Sequence, residues 1–147
     1  MKIVLLIHGD SDGVVSGALA LRFFQEKKRD TRIDVVFTHP AGLHEDLRGY
    51  VRLGDTVFIA DIALSESHLD EIEKLFREYS RHGELIYIDH HLSTTIHSSR
   101  IEKLVDEFIV GKVPTALLVA HIIKSLQRRL SPRLEAFIYA ASIIERG

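Results

Sequence analysis

Three groups of carboxylate and imidazole side chains each follow a short apolar run. In chain order they are His8, Asp10 and Asp12 after residues 3–7, Asp61 after residues 57–60, and Asp89, His90 and His91 after residues 85–88. Carboxylates and imidazoles with no thiolate are ligands of hard or borderline divalent cations. If the groups meet, the carboxylates repel one another and raise each other's pKa unless a cation neutralises their charge. The residue types therefore predict divalent-metal chemistry.

The number of ligands favours two ions over one. Two ions about 3.5–4 Å apart share a carboxylate and together clamp the oxygens of an in-line displacement at phosphorus, with hydroxide generated at neutral pH. Asp61, on the central run, is the predicted bridge. Mn²⁺ is the expected ion, with Mg²⁺, Co²⁺ or Zn²⁺ as substitutes. For any one of these aspartates the alternative is an ordinary turn or helix-capping role.

Alternating apolar runs and amphipathic segments predict an α/β fold. The expected strands are residues 2–8, 32–38, 56–61, 84–89 and, as a short edge strand, 106–110, and the expected helices are residues 13–28, 66–80, 114–129 and 132–146. This order predicts a three-layer, open, mostly parallel sheet of about five strands with helices on both faces. Ligands bind such sheets outside the carboxyl ends of the strands, where the three polar groups would converge.

Length and composition limit the class of protein. The chain has 147 residues, of which 46% are hydrophobic and 27% charged, with a net charge of −2 and no cysteine. This length suits one domain, residues 1–147. The absence of cysteine excludes a disulfide scaffold or a thiolate metal site. No apolar run approaches the roughly 20 residues of a membrane span, and the amino terminus lacks the pattern of a signal peptide. A soluble, cytoplasmic protein without membrane contact is expected, and its charge confines any nucleic-acid contact to a local surface.

The three polar groups resemble the first three motifs of the DHH phosphoesterase superfamily. The matching segments are His8-Gly-Asp10-Ser-Asp12-Gly13, the lone Asp61 that ends a strand, and Asp89-His90-His91. The one-residue spacing between His8 and Asp10 resembles the spacing found in the RecJ-like nuclease branch of this superfamily. The resemblance implies two Mn²⁺ ions and hydrolysis of a phosphodiester in nucleic acid or oligonucleotides by metal-activated hydroxide.

The resemblance also implies a role for each motif residue. His8 and Asp10 would hold one ion, Asp12 and His90 the other, and Asp61 would lie between them. Asp89 would be a further ligand or a partner that orients a histidine, and His91 would face the scissile phosphate. The implied catalytic residues are His91, Asp61 and Asp89.

Other residues are candidates for substrate binding. Gly13 lies where the first turn of a helix could present its N–H groups to a phosphate. Ser93 and Thr94 could bond a phosphate, or cap a helix or turn. Arg100 could steer a polyanion, or lie on a solvated face. The six remaining histidines, His44 and His68 among them, are expected mostly in loops or facing solvent.

Two departures from the resemblance leave alternatives open. Relatives supply a further metal-binding Asp after the triplet, for which Glu145 and Asp106 are the candidates, each with an ordinary surface or strand-edge alternative. Relatives also carry a carboxyl-terminal substrate-binding domain, to which nothing in residues 1–147 corresponds, so a separate domain or protein in trans is an expected partner. The alternative functions are a non-catalytic module that binds nucleic acid or a replication or repair partner, and a small-molecule phosphatase or pyrophosphatase.

Overall fold

The computed structural model describes residues 1–125, which form a three-layer α/β fold around an open, all-parallel sheet. Its five strands are β1 (Ile3–His8), β2 (Ile33–Thr38), β3 (Thr56–Ala60), β4 (Glu84–Asp89) and β5 (Glu107–Val110). They lie in the order β2-β1-β3-β4-β5. The predicted fold class is therefore confirmed, and each predicted strand is present within one or two residues of its expected bounds.

Helices cover both faces of this sheet. They are α1 (Ser11–Lys27), α2 (Leu43–Tyr50), α3 (Leu69–His82), α4 (Leu92–Ile96), α5 (Ser98–Ile101) and α6 (Thr115–Ser125), with 3₁₀ turns at Glu66–His68 and Glu102–Leu104. The side chains of β1 alternate between the faces, as the pleat of a strand requires. Val4 and Leu6 pack with α2 and α3, whereas Ile3, Leu5 and Ile7 pack with α1 and α6.

The sequence pattern predicts no helix between β2 and β3, where the structure has α2. This helix has only eight residues, contains Gly49, and buries Leu43 and Leu47 one turn apart. So short a segment is not helical in isolation, and packing on the sheet and on α3 supplies its stability. The expected helix 132–146, the last residues of the expected helix 114–129, and Glu145 lie outside the described residues.

The strand order reverses direction between β1 and β3. The chain moves from β1 outward to β2, and then returns to the other side of β1 to build β3, β4 and β5. The carboxyl ends of β1 and β3 therefore border the crevice in which open α/β sheets bind their ligands. Among residues 1–125, no helix is long and apolar enough to cross a membrane.

Candidate metal centre

The end of β1 and the start of α1 place His8 and Asp10 side by side. Asp10 is the N-cap of α1, and its Oδ1 accepts a hydrogen bond from the Gly13 N–H at 2.8 Å. Its Oδ2 lies 3.1 Å from Nδ1 of His8. Asp10 thus both caps α1 and belongs to the polar cluster.

Gly13 allows α1 to begin directly against β1. A Cβ atom at this position would lie 2.0 Å from the backbone oxygen of His8, a distance no side chain can adopt. Its N–H donates to the Asp10 carboxylate that caps α1, so in this structure the N–H is engaged within the helix cap. The glycine is required by the close approach of two chain segments and not by a positive φ.

Asp61 stands at the centre of the cluster. It follows β3 directly and adopts a left-handed backbone with φ of 63°, a conformation that Asp tolerates better than most residues. The side chain is buried, with Oδ1 3.2 Å from His90 Nε2 and Oδ2 4.0 Å from His8 Nδ1. Thr115 Oγ1, from the first turn of α6, donates to Asp61 Oδ1 at 3.2 Å.

The carboxylates of this cluster strongly influence each other's ionisation. Burial, together with the neighbouring carboxylates of Asp10 and Asp12, raises the pKa of Asp61 to about 10. Burial alone would also raise the pKa of Asp10, but the adjacent Asp61 carboxyl, the Gly13 N–H and His8 outweigh it and lower that pKa. A divalent cation between these groups would favour the ionised form of Asp61, since an adjacent positive charge stabilises a carboxylate.

Asp12 joins the cluster to α6. Its carboxylate is fully buried, and its Oδ2 lies 3.3 Å from His90 Nε2. Oδ2 also accepts a hydrogen bond from the Thr115 N–H at 3.0 Å, and Oδ1 accepts one from the Ala116 N–H at 2.7 Å. These N–H groups belong to the first turn of α6, where no intrahelical partner exists.

The end of β4 fixes the orientation of His91. Asp89 is fully buried, and its Oδ1 lies 2.7 Å from His91 Nδ1. Its Oδ2 accepts a hydrogen bond from Thr94 Oγ1 at 2.6 Å, and Thr94 Oγ1 in turn accepts one from the Leu64 N–H at 3.1 Å. With both oxygens engaged, Asp89 has the geometry of the partner that orients a histidine.

Two overlapping sets of side chains have the spacing of metal ligands. The first is His8, Asp10 and Asp61, and the second is Asp61, His90 and His91; within each set one ligand atom per residue lies within 4.8 Å of the others. Asp61 belongs to both sets, as expected of a bridge. Among the described residues, the buried His8 Nδ1 and Asp61 Oδ2 have no hydrogen-bond partner. Unpaired buried polar atoms that converge on one place fit a pair of divalent cations.

The remaining predicted site residues lie elsewhere or serve the framework. Thr94 is buried and engaged by Asp89 and Leu64, while Ser93 is half-buried in α4. The guanidinium of Arg100 is held by carboxylates of α3, with Nη2 2.6 Å from Asp70 Oδ1 and Nε bonded to Glu73.

Asp106 lies at the other end of the sheet. Its Oδ2 accepts a hydrogen bond at 2.7 Å from the N–H of Leu85, near the start of β4. The polar cluster is at the end of that strand, so Asp106 is not in position to supply the further metal ligand expected after the triplet. Asp106 instead has the ordinary strand-edge role that was the alternative expected for it.

The start of α6 is the part of the cluster that sequence reasoning missed. Thr115 is fully buried and contacts both Asp12 and Asp61, so this turn closes one side of the cluster. The available signal was a hydroxyl residue directly after Pro114, at the start of a helical pattern.

No protein-family model matches the sequence, and no curated protein matches it. The fold is similar to the crystal structure of an uncharacterized protein from Helicobacter pylori G27, with a TM-score of 0.65 and 16% sequence identity. The match covers 95% of this chain and 41% of that one, so this chain spans less than half the length of that protein. At this identity the similarity concerns the fold alone.

Proposed function

We propose that this chain is a DHH-type phosphoesterase domain that uses two Mn²⁺ ions to hydrolyse phosphodiester bonds in nucleic acid or oligonucleotides. One observation carries the proposal. Two sets of metal-ligand side chains share the buried Asp61 at the crevice where the strand order reverses. Paired cations bridged by a carboxylate are a recurrent arrangement in enzymes that cleave phosphate esters.

The ligand sets divide the residues between two ions. His8, Asp10 and Asp61 would hold the first ion, and Asp61 and His90, with Asp12 or His91, would hold the second. When bound, the ions would activate water and offset the charge of the phosphoryl oxygens; Mg²⁺ or Co²⁺ could replace Mn²⁺.

The rim of the cluster is open to substrate, whereas its floor is closed. The side chains of His8, Asp10 and His91 are 36–38% exposed, but those of Asp12 and Asp61 are completely buried. Phosphate can therefore approach from the carboxyl edge of the sheet, while the floor excludes water.

His91 is proposed to act on the leaving oxygen. The buried Asp89 carboxylate holds its imidazole at Nδ1, and such a carboxylate–imidazole pair fixes the orientation of the ring. An imidazole so held can donate a proton to the leaving oxygen or stabilise charge on the phosphate.

The proposed partners are the nucleic acid or oligonucleotide and a substrate-binding domain or protein in trans, and the proposed location is the cytoplasm. Arg100 does little to hold a polyanion at the cluster, since carboxylates of α3 engage its guanidinium. A second domain or protein would therefore supply most of the substrate contacts.

The test is Mn²⁺-dependent cleavage of an end-labelled single-stranded oligonucleotide by the full chain. Asp61→Asn should abolish cleavage and the Mn²⁺-induced rise in Tm while keeping the fold, since Asn also tolerates the left-handed backbone at this position. Asp30→Asn, an exposed change in the turn that follows α1, is the matched control and should behave as wild type.

Three outcomes would contradict the proposal. Full activity of Asp61→Asn would overturn the metal assignment. No cleavage and no Mn²⁺-induced change in Tm, even at high protein concentration, would favour the non-catalytic binding module. Phosphate release from pyrophosphate without cleavage of oligonucleotides would favour the small-molecule phosphatase.

A further inference from the structure

A second group of metal-ligand side chains lies outside the candidate centre. His44 is in the first turn of α2, His68 ends the 3₁₀ turn before α3, and Glu71 is in the first turn of α3. One ring nitrogen from each histidine and one Glu71 oxygen lie within 4.8 Å of one another. We infer that His44, His68 and Glu71 form a separate binding site for a zinc-class transition-metal ion.

The environment of His44 is unusual for a histidine that serves only packing. Its side chain is 8% exposed, contrary to the expected loop or solvent-facing position. Nδ1 is buried with no hydrogen-bond partner among the described residues, and Nε2 lies 3.6 Å from Glu71 Oε2, beyond hydrogen-bond range. Nε2 therefore faces Glu71 without a hydrogen bond, and a metal ion between them would give this buried imidazole a partner.

The two histidine rings are already arranged together. They stack with their centroids 4.0 Å apart and their planes 20° from parallel. The stack therefore brings one ring nitrogen of each histidine within reach of the same ion. Zn²⁺ holds nitrogen and oxygen ligands at roughly 2.0–2.2 Å, and small side-chain rotations would close the triangle around it.

The two carboxylate oxygens of Glu71 face different partners. Oε1 is paired with the guanidinium of Arg48, while Oε2 is the oxygen that faces His44. Arg48 is therefore a positioning residue that turns one carboxylate oxygen toward the histidines. Glu45 Oε1 lies 3.9 Å from His44 Nε2 on an exposed side chain, and is placed to become a fourth ligand.

The types of ligand atom in this site favour zinc over magnesium and calcium. Two imidazoles with one carboxylate form a common zinc ligand set, whereas Mg²⁺ and Ca²⁺ prefer oxygen ligands. The site would tie α2 to the start of α3. It shares no residue with the candidate centre, and it does not depend on the proposed function.

The test counts Zn²⁺ per chain after equilibrium dialysis of the full-length protein, with the metal measured by mass spectrometry. His68→Gln and Glu71→Gln should each bind one Zn²⁺ fewer than wild type. His82→Gln, which removes an exposed histidine at the other end of α3, is the matched control and should bind as wild type. Asp61→Asn should keep this ion, which separates the site from the candidate centre.

Visible spectra after Co²⁺ substitution supply a second measurement. His68→Gln should lose the d–d bands of one low-symmetry site, which His82→Gln should retain. Glu71→Gln changes a half-buried side chain by a single atom and keeps the test valid if His68→Gln fails to fold, as judged by circular dichroism. Equal Zn²⁺ counts in wild type, His68→Gln and Glu71→Gln would overturn the inference.

Discussion

Asp12 accepts a hydrogen bond at 3.0 Å from the backbone N–H of Thr115, a residue 103 positions later in the chain. Its other oxygen accepts the N–H of Ala116 at 2.7 Å. A carboxylate at this position satisfies two N–H groups that α6 cannot pair itself and interacts favourably with the helix dipole. One buried side chain therefore both belongs to the candidate metal centre and anchors α6 to α1.

Removing the Asp12 carboxylate should destabilise the metal-free protein. Asp12→Ala leaves two buried N–H groups unpaired and should lower the free energy of unfolding by about 2–4 kcal/mol. Asp12→Asn also removes the charge but keeps one acceptor oxygen, so it should be the more stable of the two variants. Urea denaturation with EDTA measures both. Equal stability of the two variants would show that the α6 hydrogen bonds contribute little.

Loss of the Thr94 hydroxyl should destabilise the fold as much as loss of one member of a buried ion pair, although Thr94 carries no charge. Its Oγ1 links the Asp89 carboxylate to the Leu64 N–H. Thr94→Val keeps the shape but removes both hydrogen bonds, and should lower the free energy of unfolding by about 2–4 kcal/mol. Thr94→Ser retains the hydroxyl and should recover at least half of that loss. A Val variant as stable as the Ser variant would contradict this account.

Two glycine-to-alanine changes should shift the free energy of unfolding in opposite directions. Gly13→Ala places a Cβ against the His8 carbonyl and should cost about 1–3 kcal/mol or more, because backbone must move. Gly49→Ala, within α2, meets nothing within 4 Å and should gain about 0.5–1 kcal/mol from improved helix propensity. Thermal unfolding of both variants tests the pair, and a stabilising Gly13→Ala would refute the close approach.

Asp55 should make the protein more stable at neutral than at acidic pH. Burial alone would raise the pKa of Asp55, but hydrogen bonds from the Lys2 side chain, the Lys2 N–H and the Arg52 N–H lower it below the ordinary 3.8. A carboxylate with a lowered folded-state pKa contributes stability above its unfolded pKa and loses it as the pH falls through the folded value.

Asp55→Asn should therefore be less stable than wild type at pH 7. The difference between the two should shrink as the pH falls below about 4, where wild type also becomes protonated. Urea denaturation at several pH values measures this difference. A difference that stays constant across the range would exclude an ionic contribution from Asp55.

Under the proposed function, Asp89→Asn should reduce turnover without removing the fold. The Asn amide can still meet Thr94 Oγ1, but it no longer offers a negative charge to His91. Loss of such an outer partner of a site histidine typically costs about 10–100-fold in activity. The measurement is kcat at saturating Mn²⁺ with a labelled oligonucleotide. An unchanged kcat would show that the orientation of His91 by Asp89 does not contribute to turnover.

The sheet and the convergence of the polar groups were predictable because their signals are local. Residues 3–7 are continuously apolar, as a strand buried on both faces requires, and polar residues follow at once. The same pattern precedes Asp61 and Asp89. Parallel pairing then brings these strand ends together with no further information.

Other features leave no local signal. The contact between Asp12 and Thr115 depends on how α6 docks, and the hydroxyl residue after Pro114 does not by itself predict that docking. Asp89 could have been a ligand or an orienting partner until Thr94 was seen to occupy its second oxygen. The burial of His44 arises from the packing of α2 on α3, and α2 itself was not predicted.

Because all five strands pair in parallel, every ladder of the sheet joins segments separated by a full crossover connection. Such non-local pairing slows folding, since the chain must lose the entropy of closing long loops before stabilising contacts form. His8, Asp61 and His90 can come together only after β1, β3 and β4 have aligned. Under the proposed function, binding of divalent cations during refolding should therefore lag behind helix formation and report the moment at which the central sheet is complete.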